Sequence, residues 1–390
     1  MKYAPLVERI AGHGARAWDV HYIAQQRKDR GENVIVLSVG DPDFYTPAPI
    51  VEAAVDSLRN GRHHYTPSVG TPELRQAVAH YHQRTTSQAV TADNVAILQG
   101  AQNALMSVAL CVLGQGDEVI VPEPMYVTYE GVIGACGANL VNVALRPEDG
   151  FQIDPMRIEA ALTSNSRALL INTPHNPTGA VLRRDVVEEL ADICRRHDLW
   201  MISDEVYASI TYDTPHVSPC SFPGMEDRTA TISSLSKSHA MTGWRLGYFI
   251  LDEKWVKTAS FLNQNLMISA SEFVQKAGTA ALLESESDCL KMSLEFNERR
   301  KFVLGRLKEI GLDPKYTPTA AFYVFIKYPN QDVNSLDLAK DILEKAHVAL
   351  TPGIDFGQRG EGFIRLSYAN SLENLDKALN SLEQYFKPYL

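Results

Sequence analysis

Cysteine is scarce in this chain and never paired in the sequence. The five residues, Cys111, Cys136, Cys194, Cys220 and Cys289, are odd in number, scattered, and form no CxxC. That pattern excludes a disulfide frame or a cysteine zinc site and fits free thiols in a reducing cytoplasm; no metal is expected. Positive charge is also in deficit. Lys and Arg number 37 against 47 Asp and Glu, a net charge of -10, whereas a nucleic-acid surface needs a clustered basic excess. Long hydrophobic runs are missing too. The most apolar stretch, ALMSVALCVL (Ala104 to Leu113), is too short to span a bilayer and reads as a buried helix, so no membrane partner is expected. The N-terminal MKYAPLVERI has no apolar core followed by a small-residue cleavage site, so no export signal is expected. There is no internal repeat, low-complexity stretch or disordered linker.

What is present is a globular composition. The 390 residues are 45% hydrophobic and 22% charged, enough for two or more domains with sizeable cores. From Val95 to Leu251, short apolar runs alternate with helical patterns: NVAILQG then AQNALMSVALCVL, DEVIVPEP then VTYEGVIGAC, followed by NLVNVAL, RALLINTP, LWMISDEVY, TATISSLS and RLGYFIL. Continuous β-branched runs separated by helices predict an α/β fold with a mostly parallel sheet covered on both faces. The last two runs are too close for a helical crossover, so one of them is expected antiparallel. Beyond Ser285 the texture changes to a long amphipathic helix (LEFNERRKFVLGRLKEIG), the strand candidates AAFYVFIKY, HVALTPG and FIRLSYA, and helices around Ser335 to Lys345 and Leu372 to Tyr385. This predicts a smaller α+β domain over 286–390, a large domain over 46–285, and an N-terminal segment, 1–45, whose helix ARAWDVHYIAQQRKDRG packs with the small domain.

In open α/β sheets ligands gather at the carboxyl ends of strands. Here AILQ runs into Gly100, Ala101 and Gln102, which open a helix; LLINTP ends in HNPTG; WMISDEVY carries Asp204, Glu205 and Tyr207; and TISSLSK ends at Lys237. A helix N-terminus of small residues suits a phosphate, because free N–H groups and the helix dipole both favour an anion. Ser234, Ser236 and Arg245 add donors to the same anion. An amine, a phosphate cradle, a carboxylate and a tyrosine together suit pyridoxal phosphate, whose aldehyde condenses with a lysine and whose ring nitrogen must stay protonated. Each residue also has a plainer reading. Lys237 can be a strand end in a loop, Asp204 a helix cap, Tyr207 a core ring, Asn176-Pro177 a turn start and Arg365 a solvent-facing strand residue.

Taken in order, NTPHNPTGAV, ISDEVYASI, SLSKSHAMTGWRLGY and FIRLSYA resemble the class I aminotransferases of the aspartate-aminotransferase-like group. The resemblance extends to VGDPDFYTP, YTPSVGTPELRQAV and ILQGAQNAL, and so spans nearly the whole chain. It implies a pyridoxal phosphate-dependent transferase-like large domain, a homodimer, and an exchange of an amino group between an L-amino acid and a 2-oxo acid in two half-reactions. Lys237 would be the Schiff-base lysine and proton shuttle. Asp204 would pair with the ring nitrogen, while Asn176 and Tyr207 would bond the phenolic oxygen and Tyr126 would stack on the ring. The phosphate would lie against Gly100, Ala101, Gln102, Ser234, Ser236 and Arg245, with Tyr65 reaching across from a second subunit. Arg365 would clamp the α-carboxylate as a bidentate fork, assisted by Asn176 and the Gly40 backbone.

Two departures bear on the substrate. Some bacterial aspartate enzymes of the group carry a lysine where this chain has Gln102, and others supply an arginine from a segment matching FLNQNLMISASEFVQ (Phe261 to Gln275), which has none. Aspartate is therefore in doubt as the preferred donor. The fragments AWDVHY, VGDPDFYTPAPIV, EPMYVTYE, HDLWMISDEVY and LSKSHAMTGWR resemble arginine–pyruvate transaminases. On that reading Asp19 meets a basic substrate side chain; the plainer alternative is an exposed helix acid. Three rivals remain: an aspartate or broad-range aminotransferase with 2-oxoglutarate as acceptor, a C–S β-lyase sharing these motifs, and a cofactor-binding transcription regulator. The regulator is disfavoured because the chain begins close before VGDPDF, without a basic helix-turn-helix domain.

Overall fold

The β-branched runs do form strands, and their alternation fixes which side chains meet. The computed structural model describes residues 2–11 and 18–390. Its strands in chain order are β1 (Ile35–Val36), β2 (Val95–Leu98), β3 (Glu118–Glu123), β4 (Asn139–Ala144), β5 (Ser166–Asn172), β6 (Trp200–Asp204), β7 (Thr229–Ser234), β8 (Gly247–Ile250), β9 (Tyr323–Lys327), β10 (Val348–Ala349), β11 (Thr351–Pro352) and β12 (Phe363–Ser367).

Seven of them make one sheet in the order β2-β8-β7-β6-β5-β3-β4. β8 runs antiparallel to both β2 and β7, and the other pairings are parallel, as the short β7–β8 connection predicts. Along β6, Trp200 and Ile202 join a core beneath the helix Ala101–Val112, while Met201 joins the opposite core beneath the helix Arg184–Arg196. This period of two covers both faces with helices, so the strands read as unbroken apolar runs. The helix Arg184–Arg196 shows why its segment is helical: Val186, Val187, Leu190, Ala191, Ile193 and Cys194 fall on one buried face. Register then aligns the carboxyl ends, with Asn172 opposite Asp204 and Asp204 opposite Ile232. The residues that follow, Ser234 to Lys237 among them, leave the sheet at one rim.

A second core lies over the antiparallel sheet β11-β12-β9, packed by the helices Glu286–Glu309, Ser335–Ala346 and Leu372–Phe386. Each fully buried Leu, Ile or Phe here contributes about 1.5–3 kcal/mol. Side-chain caps start the two later helices: Asn334 accepts from the Asp337 amide and Ser371 from the Asn374 amide. Only part of the N-terminal segment joins this unit: β1 pairs in parallel with β10, and Val20 and Ala24 of the helix Asp19–Asp29 pack on Ala339 and Leu343. The helix Pro5–Ala11 instead lies against the helix Tyr129–Ala135 over the seven-stranded sheet, where Gly131 and Gly134 leave room for the Ile10 and Arg9 carbonyls. Of the helix expected from Ala15, the residues Ala15, Arg16 and Ala17 lie outside the described residues. HVALTPG, expected as one strand, is two: β10 pairs with β1, the chain steps at Leu350, and β11 pairs with β12. The step lets one short segment close two sheets at once. Among the described residues, no helix is long and apolar enough to cross a membrane.

Candidate active site

One cavity opens between the rim of the seven-stranded sheet, the small antiparallel sheet and the N-terminal helix. Its empty space, open mouth included, is about 1140 Å³. Of the residues singled out from the sequence, Gly40, Ala101, Gln102, Tyr126, Asn176, Asp204, Tyr207, Ser234, Ser236, Lys237, Arg245 and Arg365 line it.

On the sheet side, Lys237 Nζ donates to the Gly40 carbonyl at 2.5 Å. Burial lowers the lysine to about 8, against the smaller opposing pull of Asp41. Asp204, at the end of β6, is buried, and burial pushes its carboxyl up to about 6. Two donors oppose that rise: the Tyr129 hydroxyl at 2.7 Å, and the Val206 amide at a long 3.4 Å. Gly100 caps the helix Ala101–Val112 with φ +94, and a Cβ there would collide with the Arg245 guanidinium. Arg245 itself takes a left-handed backbone (φ 54), uncommon for a side chain of this size, which folds it back toward that helix start. Gln102 is turned to accept from the Thr128 hydroxyl at 2.8 Å.

On the small-sheet side, Arg365 of β12 is buried. Its Nη1 donates to Asn176 Oδ1 at 2.9 Å, and its Nη2 donates to the Ser38 carbonyl at 2.7 Å and Thr351 Oγ1 at 3.0 Å. Its Nε has no partner, and no carboxylate lies within ion-pair distance of it among the described residues. The Tyr323 and Phe356 rings flank the guanidinium at 4.5 and 4.9 Å. Tyr323 bonds the Tyr207 hydroxyl at 2.7 Å, and its hydroxyl fills the space where Gly40 would carry a Cβ.

Three residues of the expected set do not line the cavity: Gly100, which sits behind Ala101 as the helix cap, Tyr65 and Asp19. Tyr65 is 84% exposed and touches nothing in this cavity. Asp19, partly buried at the start of its helix, does not line the cavity, although its neighbours Trp18 and Val20 do. Conversely, Tyr129, Tyr323, Ser38, Thr351 and Phe356 belong to the site and were not singled out from the sequence. Only Tyr129 left a trace there: it lies three residues after Tyr126, and the two rings meet at 5.7 Å.

The residues present fit pyridoxal phosphate. A part-buried amine lowered to about 8, a buried carboxylate, a helix N-terminus held against an arginine, and a second arginine with no counter-ion among the described residues all face one space. Comparison with known proteins agrees. The model of the family "Aminotransferase class I and II" matches residues 32–382. The chain belongs to the class I and II aminotransferases. Like the rest of that family it is a pyridoxal phosphate-dependent transaminase. It is 45% identical over 379 residues to an arginine–pyruvate transaminase, AruH, of Pseudomonas aeruginosa, covering 97% of this chain and 96% of that one. To an aspartate aminotransferase of Pyrococcus horikoshii it is 38% identical, covering 92% of each chain. Among solved structures, an aspartate aminotransferase from Thermotoga maritima superposes with a TM-score of 0.93 at 35% identity, covering 99% of this chain and 100% of the other. The aminotransferase fold is thus shared over 99% of the chain.

Proposed function

We propose that this aminotransferase moves the amino group of L-arginine to pyruvate, with Lys237 as the group that handles the proton. The observation that carries the chemistry is the convergence of Lys237, Asp204 and Arg365 on one cavity. The identity of 45% to an arginine–pyruvate transaminase supports the donor and acceptor. When bound, pyridoxal phosphate supplies an aldehyde that exchanges for an amine, and a ring that draws electron density from the substrate's α-carbon. Asp204, ionised above about 6, holds the ring nitrogen protonated. Arg365 takes the α-carboxylate, with Asn176 fixing the guanidinium plane. That aligns the α-carbon proton with Lys237 Nζ, which carries it across and returns it, an amine near 8 being able to do both at neutral pH. Tyr207, oriented by Tyr323, and Asn176 bond the phenolic oxygen. Tyr126 would cover the cofactor's ring, and the helix start at Ala101 with Ser234, Ser236 and Arg245 would hold its phosphate.

We further read the chain as a cytoplasmic homodimer. Support comes from the five unpaired cysteines and from exposed rings at Tyr45, Tyr65 and Phe261. Tyr65 then completes the phosphate site of the partner subunit. The large domain of this reading spans 46–285 and the smaller one 286–390, with Asp19–Asp29 and β1 of the segment 1–45 on the smaller domain's side of the cavity.

Titration of the holoenzyme with single L-amino acids, without acceptor, tests the donor. Arginine should convert the bound cofactor to its amine form, seen by absorbance, at a higher kcat/KM than aspartate, alanine or an aromatic amino acid. Aspartate ahead of arginine would replace the donor assignment. Conversion by no donor, with pyruvate and ammonia formed from cystathionine, would make the protein a C–S lyase.

A further inference from the structure

Trp18 and His21 stand three residues apart at the start of the helix Asp19–Asp29, so they share one face of it. Both line the cavity, and so does Val20. The two rings meet edge to face, with centroids 5.9 Å apart and planes at 78°. His21 Nδ1 bonds Ser38 Oγ at 3.2 Å, and the Ser38 carbonyl accepts from Arg365 Nη2 at 2.7 Å. A row of contacts therefore runs from the fork that takes the α-carboxylate to the Trp18 ring. Trp18 is 39% exposed while Asp204 and Arg365 are buried, so the row leads from the floor of the cavity toward its mouth. The helix start is anchored: the Trp18 carbonyl accepts from the Tyr22 amide at 2.9 Å, and Val20 and Ala24 pack on Ala339 and Leu343.

Trp18 has no role in the scheme above. A large ring exposed at the mouth of a cavity leaves apolar surface in water until a ligand covers it. Among the described residues lining the cavity, Asp204 is the one carboxylate, and the ring nitrogen of the cofactor takes it up. A cationic side chain whose α-carboxylate is on Arg365 therefore meets aromatic surface there instead of a counter-ion. A guanidinium suits such a wall better than an ammonium does. It is planar, weakly hydrated and stacks on aromatic rings, whereas an ammonium is a strongly hydrated point charge. We propose that Trp18 is a specificity-determining residue for the amino donor, taking the guanidinium at the end of its side chain against the indole ring. The inference rests on the aminotransferase reading above and deepens its donor assignment. Burial lowers the His21 imidazole below its ordinary 6.5, so the ring beside the indole is neutral at pH 7 and does not repel the cation. A donor with a neutral aliphatic side chain gains only apolar contact at Trp18, without the attraction between cation and ring.

Trp18→Leu and Trp18→Phe holoenzymes test the stack, with kcat/KM measured for L-arginine, L-lysine and L-norleucine. Equilibrium binding of 5-guanidinopentanoate and of hexanoate is measured in parallel by calorimetry. The parent enzyme should prefer arginine to lysine as well as to norleucine. In Trp18→Leu the arginine-to-norleucine ratio should fall about threefold to thirtyfold, and the guanidino acid should lose its advantage over hexanoate by a similar factor. Trp18→Phe keeps a smaller ring and should lose less of both. An unchanged ratio in Trp18→Leu, with arginine still preferred by the parent, would overturn the proposal and leave arginine as donor. A parent that takes lysine as readily as arginine would show that the site reads charge and not a planar group, and would overturn it too. A parent with no preference for arginine over norleucine would overturn the donor reading and the stack together.

Discussion

Asp204 and Glu205 are adjacent, both acidic and both buried, yet they sit on opposite faces of the seven-stranded sheet and in opposite electrostatic states. Glu205 faces away from the cavity. It accepts from Ser203 Oγ at 2.8 Å and Ser218 Oγ at 2.6 Å, and pairs with His216 Nε2 at 2.9 Å. Burial by itself would raise it, but His216 and Ser218 outweigh that and hold it below the usual carboxylate range. Asp204 faces the cavity with two weaker neutral donors and is raised to about 6. The chain has supplied every partner on one face and withheld a cation on the other. An acid left incomplete beside a cavity marks where a ligand's charge belongs.

The largest effect that sharpens the contrast is at Lys237. Lys237→Ala should lower the half-reaction rate by about 10²–10⁴-fold or more, read by single-turnover absorbance. The same amine sets a pH signature in the cofactor-free protein. Its neutral fraction grows as pH rises through about 8, so the rate of pyridoxal phosphate capture should climb to there and then flatten. A capture rate still climbing toward the ordinary lysine value of 10.5 would show that burial does not tune it.

The two acids themselves come next. Glu205→Ala leaves His216 and two hydroxyls buried without their acceptor and should cost about 3–5 kcal/mol in denaturant unfolding. Glu205 has a depressed native pKa, so its contribution is present above the ordinary carboxylate value and is lost as pH falls through the lowered one. Asp204 has the reverse sign: stability is lost as pH rises from its ordinary 3.8 through about 6. At pH 7 that penalty is roughly 2–4 kcal/mol. Asp204→Asn should therefore stabilise the cofactor-free chain while weakening cofactor binding. Equal destabilisation by both substitutions would erase the distinction between the faces.

Arg365 extends the comparison to the second sheet. Arg299, also buried, is paired with Asp43 and Glu295, whereas Arg365 has neutral acceptors and an empty Nε. Arg365→Lys keeps the charge but not the fork, and should cost about 2–5 kcal/mol in kcat/KM, mostly through KM. A rate that fell with KM unchanged would place the α-carboxylate elsewhere.

These contrasts also explain what could be read from the sequence. Lys237, Asp204 and Asn176 were legible because strand ends in an α/β sheet carry ligands, and a strand end is a local pattern. The antiparallel β8 was legible from the length of one connection. The rest comes from chain segments far apart in sequence. Ser38, Thr351 and Tyr323 surround Arg365 only because β1, β11 and β9 converge on β12, and no spacing encodes that convergence. Tyr65 is left exposed by its own fold, so a role for it rests on the proposed dimer, which no local pattern encodes.

The smallest effect is at Tyr129, and it separates burial from hydrogen bonding as the origin of the Asp204 state. The hydroxyl donates to Asp204 Oδ2 at 2.7 Å and is the largest influence opposing the rise of that carboxyl. Tyr129→Phe removes one oxygen and keeps the ring, so the packing beneath the helix Ala101–Val112 is preserved. A hydrogen bond to a charged acceptor contributes about 1.5–3 kcal/mol. Without it the carboxylate is less favoured, Asp204 titrates at higher pH, and the ionised form is available over a narrower range. Cofactor affinity, measured against pH, should then begin its acid-side fall at a higher pH than in the parent protein, with little change well above that point. If the acid limb does not move, the Tyr129 hydroxyl contributes nothing to holding Asp204 ionised. The difference from Glu205 would then lie in His216 and Ser218, since both acids share the burial.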